Sequence, residues 1–237
     1  MVETEKERQI NKNRKKLSFK IMRIFCFIIF RKPKLLFTDG EFPNEPVLLL
    51  SNHVGKKAPG KIELYYPRPF MMWGTHEMTE GFKAVHKYLR TTYYHEKKHL
   101  PKFLAYIIAS IVGPLVNAYY RGLRLLPTYH DQRLLNTVKL TREEYESGKD
   151  IIIYPEDSST GYKDEIEKFF SGFASFLGMM YRNGYDIPVM VTYFDRRRNT
   201  FIFSGVSKYS TLLEEYKTNE AITEAMRNKM NSLRDMK

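Results

Sequence analysis

The stretch Val47–Pro59, which reads VLLLSNHVGKKAP, decides the predicted fold and the place of the predicted site. Its apolar run ends at Leu50 and is followed by Ser51-Asn52-His53, a valine and a glycine. Four apolar residues that stop at polar ones are typical of a buried strand entering a loop. In open α/β sheets, ligands bind at the edge where the carboxyl ends of the strands lie. We therefore expect His53 at that edge, as a candidate general base. The alternative is a polar loop that caps the next helix.

The rest of the chain alternates between predicted strands and predicted helices. Apolar runs bounded by Gly, Pro or charged residues predict further strands at 35–37, 70–73, 151–154, 187–194 and 200–203. Apolar periodicity and end signals predict helices over 60–66, 131–147, 166–182 and 211–237, the last one polar and external. No repeat is detectable. The pattern predicts a single α/β domain over residues 35–210, with a mixed, mostly parallel sheet flanked by helices, and a C-terminal helix over 211–237.

The N-terminal segment, residues 1–34, is basic and partly apolar. Residues 3–16 are almost wholly polar, and residues 17–30 are apolar but keep Lys20 and Arg23. The apolar part is too short to cross a bilayer, and no small-residue cleavage site follows it. We expect an amphipathic helix that docks on an anionic membrane surface, which makes the protein peripheral (monotopic) on the cytoplasmic face. The alternative is an ordinary amphipathic helix packed on the domain.

A second apolar segment, residues 103–120, has no charged residue. Its length is close to that of a membrane-spanning helix, but Gly113-Pro114 interrupts it. We expect a helix that packs on the sheet or against lipid, and not a membrane span. Core packing is the alternative to lipid contact.

Composition narrows the choice of partners. The net charge of +12 in 237 residues calls for an anionic partner, either nucleic acid or an acidic membrane. The basic residues concentrate around the apolar N-terminal segment, and no recognition motif appears, so we expect a membrane and no nucleic acid. The single cysteine, Cys26, excludes an intramolecular disulfide. The six histidines are scattered, so no metal site is predicted.

Four short blocks occur in a recognisable order: Ser51-Asn52-His53, Tyr119–Gly122, Tyr154–Ser159 and Ile187–Val191. In this order and spacing the chain resembles the glycerolipid (lysophospholipid, PlsC-like) acyltransferase family over residues 36–206. The resemblance implies a glycerol-phosphate acyltransferase-like fold and a role in phospholipid metabolism. It also implies transfer of an acyl chain from acyl-CoA or acyl-carrier protein to a hydroxyl of a lysophospholipid- or glycerol-phosphate-like acceptor. No cofactor is implied beyond the acyl thioester as co-substrate.

The resemblance also assigns roles to particular residues. His53 would be the catalytic base, and Arg121 and Glu156 would bind the acceptor. Further substrate-binding positions are Asn52 and Ser158. Lys56 and Lys57 follow His53 closely in the sequence, and we expect them to bind a phosphate of the acceptor or of CoA in place of the family's Arg. The alternative is a solvated basic loop.

The chain departs from the family pattern at the position of the orienting carboxylate. The family's Asp, five residues after the His, is Ala58, and the family's Gly, Thr and Arg of the third block are Asp157, Ser158 and Ser159. Losing the carboxylate that orients a catalytic His costs about 10⁴-fold in the serine-protease relay. We expect Asp157, ahead of Glu63, to supply a substitute. The alternative is a catalytically inactive lipid- or acyl-CoA-binding protein of the same fold.

Overall fold

The computed structural model describes residues 3–96, 98–129, 131–157 and 163–236. The chain forms two compact units, which interleave along the sequence. The first unit comprises Met1–Ile29 and Met72–Thr141, and the second comprises Phe30–Met71 and Arg142–Lys237. The division into 1–34, 35–210 and 211–237 stays a prediction.

The helices and strands of the described residues follow in chain order. The strands are β1 (Lys34–Phe37), β2 (Leu48–Ser51), β3 (Phe70–Thr75), β4 (Leu125–Thr128), β5 (Asp150–Ile153), β6 (Pro188–Asp195), β7 (Thr200–Phe203) and β8 (Ser207–Lys208). The α-helices are α1 (Glu5–Arg14), α2 (Leu17–Ile29), α3 (Lys57–Tyr65), α4 (Phe82–Tyr88), α5 (Lys102–Tyr120), α6 (Leu134–Glu146), α7 (Gly172–Arg182), α8 (Tyr209–Tyr216) and α9 (Asn219–Arg234). A 3₁₀ turn covers His76–Met78, and a π-helical segment covers Leu89–Glu96.

The second unit is built around a mixed sheet in the order β1-β7-β6-β2-β5, with β8 paired to β6. Strand β2 lies between β5 and β6 and is parallel to both. Strand β6 pairs antiparallel with β7 and with β8. All four residues of β2 and of β5 are buried, as expected for central strands covered on both faces. This burial explains why both strands are nearly continuous apolar runs in the sequence.

A buried carboxylate ties the amino ends of these central strands together. Asp150, the first residue of β5, accepts hydrogen bonds from the Val47 amide at 2.9 Å and from the Tyr66 hydroxyl at 2.7 Å. Arg68 forms an ion pair with the same carboxylate at 3.1 Å. Burial raises the pKa of Asp150, and these donors act against that rise.

The first unit is mainly helical, with one parallel pair formed by β3 and β4. Its long helix, α5, packs against α2, α4 and the π-helical segment. The side of α5 that is buried carries only small residues, Ala105, Ala109 and Gly113, spaced four residues apart. Small side chains at this spacing allow close helix packing. The opposite side of α5 is exposed.

The fold class expected from the sequence is confirmed: the chain is α/β, with a mixed, mostly parallel sheet and flanking helices. Each predicted strand is present to within about three residues at its ends. The expected helix at 103–120 forms as α5, which runs through Pro114 without a break. The helix expected at 60–66 begins earlier, at Lys57. Helix α4, the π-helical segment and β4 had not been predicted.

Two helix predictions were wrong in their extent. The helix expected at 166–182 begins at Gly172, because the chain before it pairs with residues 155–157 as extended backbone. The tail expected as one polar helix is two helices, α8 and α9, separated at Lys217, which has a φ of +65°. Thr218 caps α9 by accepting the Ala221 amide at 3.1 Å. Helix α9 is also not purely external, since it buries an apolar face.

The two N-terminal helices, α1 and α2, pack closely against the end of α5. The Phe19 ring stacks on Tyr119 and lies so near Gly122 that a Cβ built there would be 2.3 Å from a ring carbon. Asn13 and Arg14 donate side-chain hydrogen bonds to the carbonyls of Arg121 and Gly122. This contact explains why glycine follows Arg121.

Gly122→Ala is expected to lower the free energy of unfolding by about 1–3 kcal/mol, because the new methyl overlaps the buried Phe19 ring. Urea denaturation followed by circular dichroism measures the change. The matched control is Gly172→Ala, where an added Cβ meets no atom within 4 Å. Equal stability of the two variants would contradict the close packing of Phe19 on Gly122.

Candidate active site

The carboxyl ends of β2 and β5 bring the first and third sequence blocks to one edge of the sheet in the second unit. Because the two strands are parallel neighbours, with Leu50 opposite Ile153, the loops that follow them emerge side by side. The first loop carries His53 and the second carries Glu156. His53 therefore lies at the carboxyl edge of the sheet, as the sequence predicted.

Asn52 locks the end of β2 to β6. Its side-chain oxygen accepts the Phe194 amide at 2.6 Å, and its side-chain nitrogen donates to the Phe194 carbonyl at 3.2 Å. Asn52 is almost fully buried, so an unpaired amide there would be costly. Both ends of the side chain are engaged with β6, which favours a structural role. The predicted role of Asn52 in substrate binding stays a prediction.

The carboxylate of Glu156 contacts the backbone of His53. Its Oε2 accepts a hydrogen bond from the backbone N–H of His53 at 3.0 Å. Burial raises the pKa of Glu156, and this hydrogen bond acts against the rise by favouring the charged form. Glu156 therefore fixes the main chain at His53, a contact that the sequence did not indicate.

The segment after the third block holds the Glu156 loop in place. Phe169 forms an antiparallel bridge with Glu156. The Phe170 amide donates to the Pro155 carbonyl at 2.8 Å, and the Asp157 amide donates to the Lys168 carbonyl at 3.0 Å. This pairing is the reason that residues 166–171 are not helical. It brings Glu156 to the His53 backbone.

The imidazole of His53 packs edge-on against the ring of Tyr154, with 5.1 Å between the ring centroids and an interplanar angle of 67°. Burial raises the pKa of Tyr154 well above its usual value, and the carboxylate of Glu63 raises it further. Tyr154 was missed as a site residue. Its signal in the sequence is its place directly after β5, at the same edge as His53.

Val54, the residue after His53, has a φ of +43°. A β-branched residue in this left-handed region is a true outlier, which costs about 1–3 kcal/mol unless neighbouring contacts hold it. Gly55 follows with a φ of +62°. Two consecutive left-handed residues turn the chain sharply from His53 into α3.

The predicted partner of His53, Asp157, forms an ion pair with Lys168 at 3.3 Å. Ala58, at the position of the family's Asp, is fully buried in the first turn of α3. Ser158 lies outside the described residues, as does Ser159. The assignment of Asp157 as the carboxylate that orients His53 stays a prediction.

Lys56 directly precedes α3 and Lys57 is its first residue, and both side chains are exposed. Within the described ranges neither lysine forms an ion pair. Lys57 also helps to lower the pKa of Lys61, one turn further along α3, although burial is the larger cause. Two exposed cations three and four residues after His53 are suitable ligands for a phosphate.

Arg121 belongs to the first unit. It ends α5 and lines a cavity of about 310 Å³ together with Lys6, Gln9, Asn13 and Thr79. Two cationic side chains and two amides in one open cavity are suited to an anionic group. Its predicted role as an acceptor ligand stays a prediction.

Among the described residues, no group of three or more His, Cys, Asp or Glu side chains is arranged to hold a metal ion.

Val54→Asn is expected to raise the free energy of unfolding by about 1 kcal/mol, because Asn adopts left-handed φ more easily than Val. Thermal and urea unfolding measure the change. The control is Val206→Asn, at an exposed valine whose φ is not positive, where no gain is expected. A loss of stability in Val54→Asn larger than that of the control would show that burial of the valine side chain outweighs strain.

Comparison with known proteins finds a similar solved structure. No protein-family model matches the sequence, and no curated protein matches it. One matching structure is the 1-acyl-sn-glycerophosphate (LPA) acyltransferase PlsC from Thermotoga maritima, with 14% sequence identity and a TM-score of 0.46. The match covers 98% of this chain and 82% of that chain.

Proposed function

We propose that the protein is an O-acyltransferase. It would move an acyl chain from acyl-CoA or acyl-carrier protein to a hydroxyl of a lysophospholipid- or glycerol-phosphate-like acceptor. We also propose that it works as a peripheral protein on the cytoplasmic face of an anionic membrane.

The observation that carries this proposal is the position of His53. It follows the central strand β2 at the carboxyl edge of the sheet, with its backbone N–H held by Glu156 and its ring against Tyr154. A histidine fixed by its main chain and by a ring contact is preorganised for proton transfer. The order of the four sequence blocks supports the same function.

In the proposed reaction, a ring nitrogen of His53 takes the proton of the acceptor hydroxyl as its oxygen attacks the carbonyl carbon of the thioester. The C–O bond forms, the C–S bond breaks, and the thiolate takes the proton back from the imidazolium. The products are an ester and a free thiol. Lys56 and Lys57 would bind a phosphate of the acceptor or of CoA.

A second function, a catalytically inactive protein that binds lipid or acyl-CoA, is favoured by a specific observation. The position of the family's orienting Asp is a fully buried alanine, Ala58. In the serine-protease relay the orienting carboxylate stabilises the protonated imidazole, so its loss lowers turnover without removing the binding surface.

The test is thiol release from a panel of long-chain acyl-CoAs, with lysophospholipids and neutral glycerolipids as acceptors. His53→Ala is expected to reduce turnover by about 10²–10⁴-fold, the usual contribution of a general base. Binding of acyl-CoA, measured by calorimetry, should persist in that variant. The control is His86→Ala, on α4 of the first unit. Unchanged turnover in His53→Ala would exclude His53 as the base.

Ala58→Asp separates the two candidate functions. Turnover in the native protein that depends on His53 would identify a working enzyme. If the native protein releases no thiol and turnover appears only in Ala58→Asp, the native protein is an inactive relative retained for binding. Because Ala58 is fully buried, circular dichroism must first establish that Ala58→Asp is folded.

Arg121→Met is expected to raise the KM for a phosphate-bearing acceptor by about ten-fold or more while leaving the KM for acyl-CoA unchanged, since a charge-assisted contact to phosphate is lost. Arg121→Lys should recover part of the loss, because it restores the charge without the fork. Steady-state kinetics with a phosphate-free acceptor provides the control. An equal effect on both acceptors would contradict a phosphate contact.

A further inference from the structure

The surface of the first unit carries two exposed apolar stripes on neighbouring helices. On α5 the stripe consists of Phe103, Tyr106, Ile107, Ile111 and Leu115. On α2 it consists of Leu17, Ile21, Ile24, Phe25 and Ile28. Every residue of each set lies three or four positions from another member of the set, so each set occupies one face of its helix. Ile111 is 70% exposed and Ile24 is 60% exposed, which is unusual for large apolar side chains at helical spacing.

The two helices pack side by side within this unit. Helix α5 is fixed by its small-residue side, which is buried along three successive turns, and α2 is fixed by buried Phe19 and Cys26. Neither helix can therefore turn its apolar stripe inward without losing its core contacts.

We propose that the exposed stripes of α2 and α5 form one docking face, and that its occupant is an anionic lipid bilayer. The sequence predicted membrane contact for residues 1–34 and left residues 103–120 open between packing on the sheet and contact with lipid. The proposal adds the exposed face of α5 to that of α2. The proposal rests on the membrane location given under the proposed function, and it does not depend on acyltransferase activity.

The charged residues near the two helices favour an anionic lipid. The sequence contains no Asp or Glu between Glu7 and Asp39, nor between Glu96 and Asp131. Both helices lie within these acid-free stretches. Exposed lysines stand at the start of each helix, Lys16 and Lys20 for α2 and Lys102 for α5. Apolar faces bordered by cations, with no anion nearby in sequence, are complementary to negatively charged headgroups.

Arg23 fits the same arrangement. Its guanidinium lies over the ring of Phe27, one turn along α2, with 5.1 Å to the ring centroid. Long basic side chains that lie along apolar surface can reach headgroups while their stems remain among apolar groups.

Two other arrangements are less consistent with the observations. A second copy of this chain would bring two identical cation-bordered faces together, which like charges oppose. Helix α5 is long and apolar enough to cross a membrane, but its buried side packs on α4 and the π-helical segment along its length. One exposed face suits a helix that lies in the interface plane.

Co-sedimentation of the full chain with phosphatidylglycerol vesicles tests the proposal. Ile111→Glu is expected to lower the partition coefficient by about ten-fold or more, because a side chain buried in the acyl region becomes charged. The matched control is Leu135→Glu on α6, which adds the same charge at a leucine that is 69% exposed. It should stay within about two-fold of the native protein. Equal partition of the two variants would overturn the role of α5.

Two further measurements test folding and insertion directly. Both glutamate variants change exposed positions, so their thermal unfolding midpoints should equal that of the native protein. A lower partition coefficient then reports weaker binding and not misfolding. Ile111→Trp should show a blue-shifted emission on adding vesicles, compared with the native protein, whose single tryptophan is Trp73. The absence of that shift would place α5 outside the bilayer and overturn its role.

The nature of the occupant is tested separately. Binding to phosphatidylcholine vesicles should be much weaker than to phosphatidylglycerol, and equal binding would overturn the electrostatic part. A native dimer in sedimentation velocity that Ile111→Glu converts to a monomer would assign the face to a second copy and overturn the proposal.

Discussion

The pairing of the Asn52 side chain with the Phe194 peptide is the constraint on which the candidate site depends. A buried amide and a buried peptide each need hydrogen-bond partners, and here each satisfies the other. The end of β2 is thereby fixed to β6 directly before His53. The left-handed turn at Val54 follows from the same constraint, because the chain must reverse into α3 within a few residues.

Two contacts hold His53 at the candidate site, one to its backbone and one to its ring. In the serine-protease relay a carboxylate bonds to the imidazole itself, which selects its tautomer and stabilises its cation. Here the carboxylate of Glu156 holds the backbone of His53, and the ring meets Tyr154, whose phenol is influenced by Glu63. Both contacts help to fix the orientation of His53.

In the first unit, the unusual feature is the surface of its long helix, α5. Its long helix buries alanine and glycine and exposes large apolar side chains, the reverse of the usual arrangement in water. This inversion is the basis of the proposed bilayer contact. The sequence could not decide it, since an uncharged segment of this length is equally compatible with core packing. The side that packs was set by the small residues Ala105, Ala109 and Gly113, whose spacing is visible in the sequence but whose partners are not.

The sequence by itself determined the α/β class, the central strands and the position of His53, because buried strands leave continuous apolar runs and their carboxyl ends converge. It misjudged residues 166–171, where local periodicity favoured a helix. Only the tertiary structure decided that this segment pairs with the Glu156 loop, that Tyr154 meets the imidazole, and that Asp157 pairs with Lys168. These contacts join residues distant along the chain or depend on side-chain direction. The spacing and composition of a sequence indicate neither which distant residues meet nor where a side chain points.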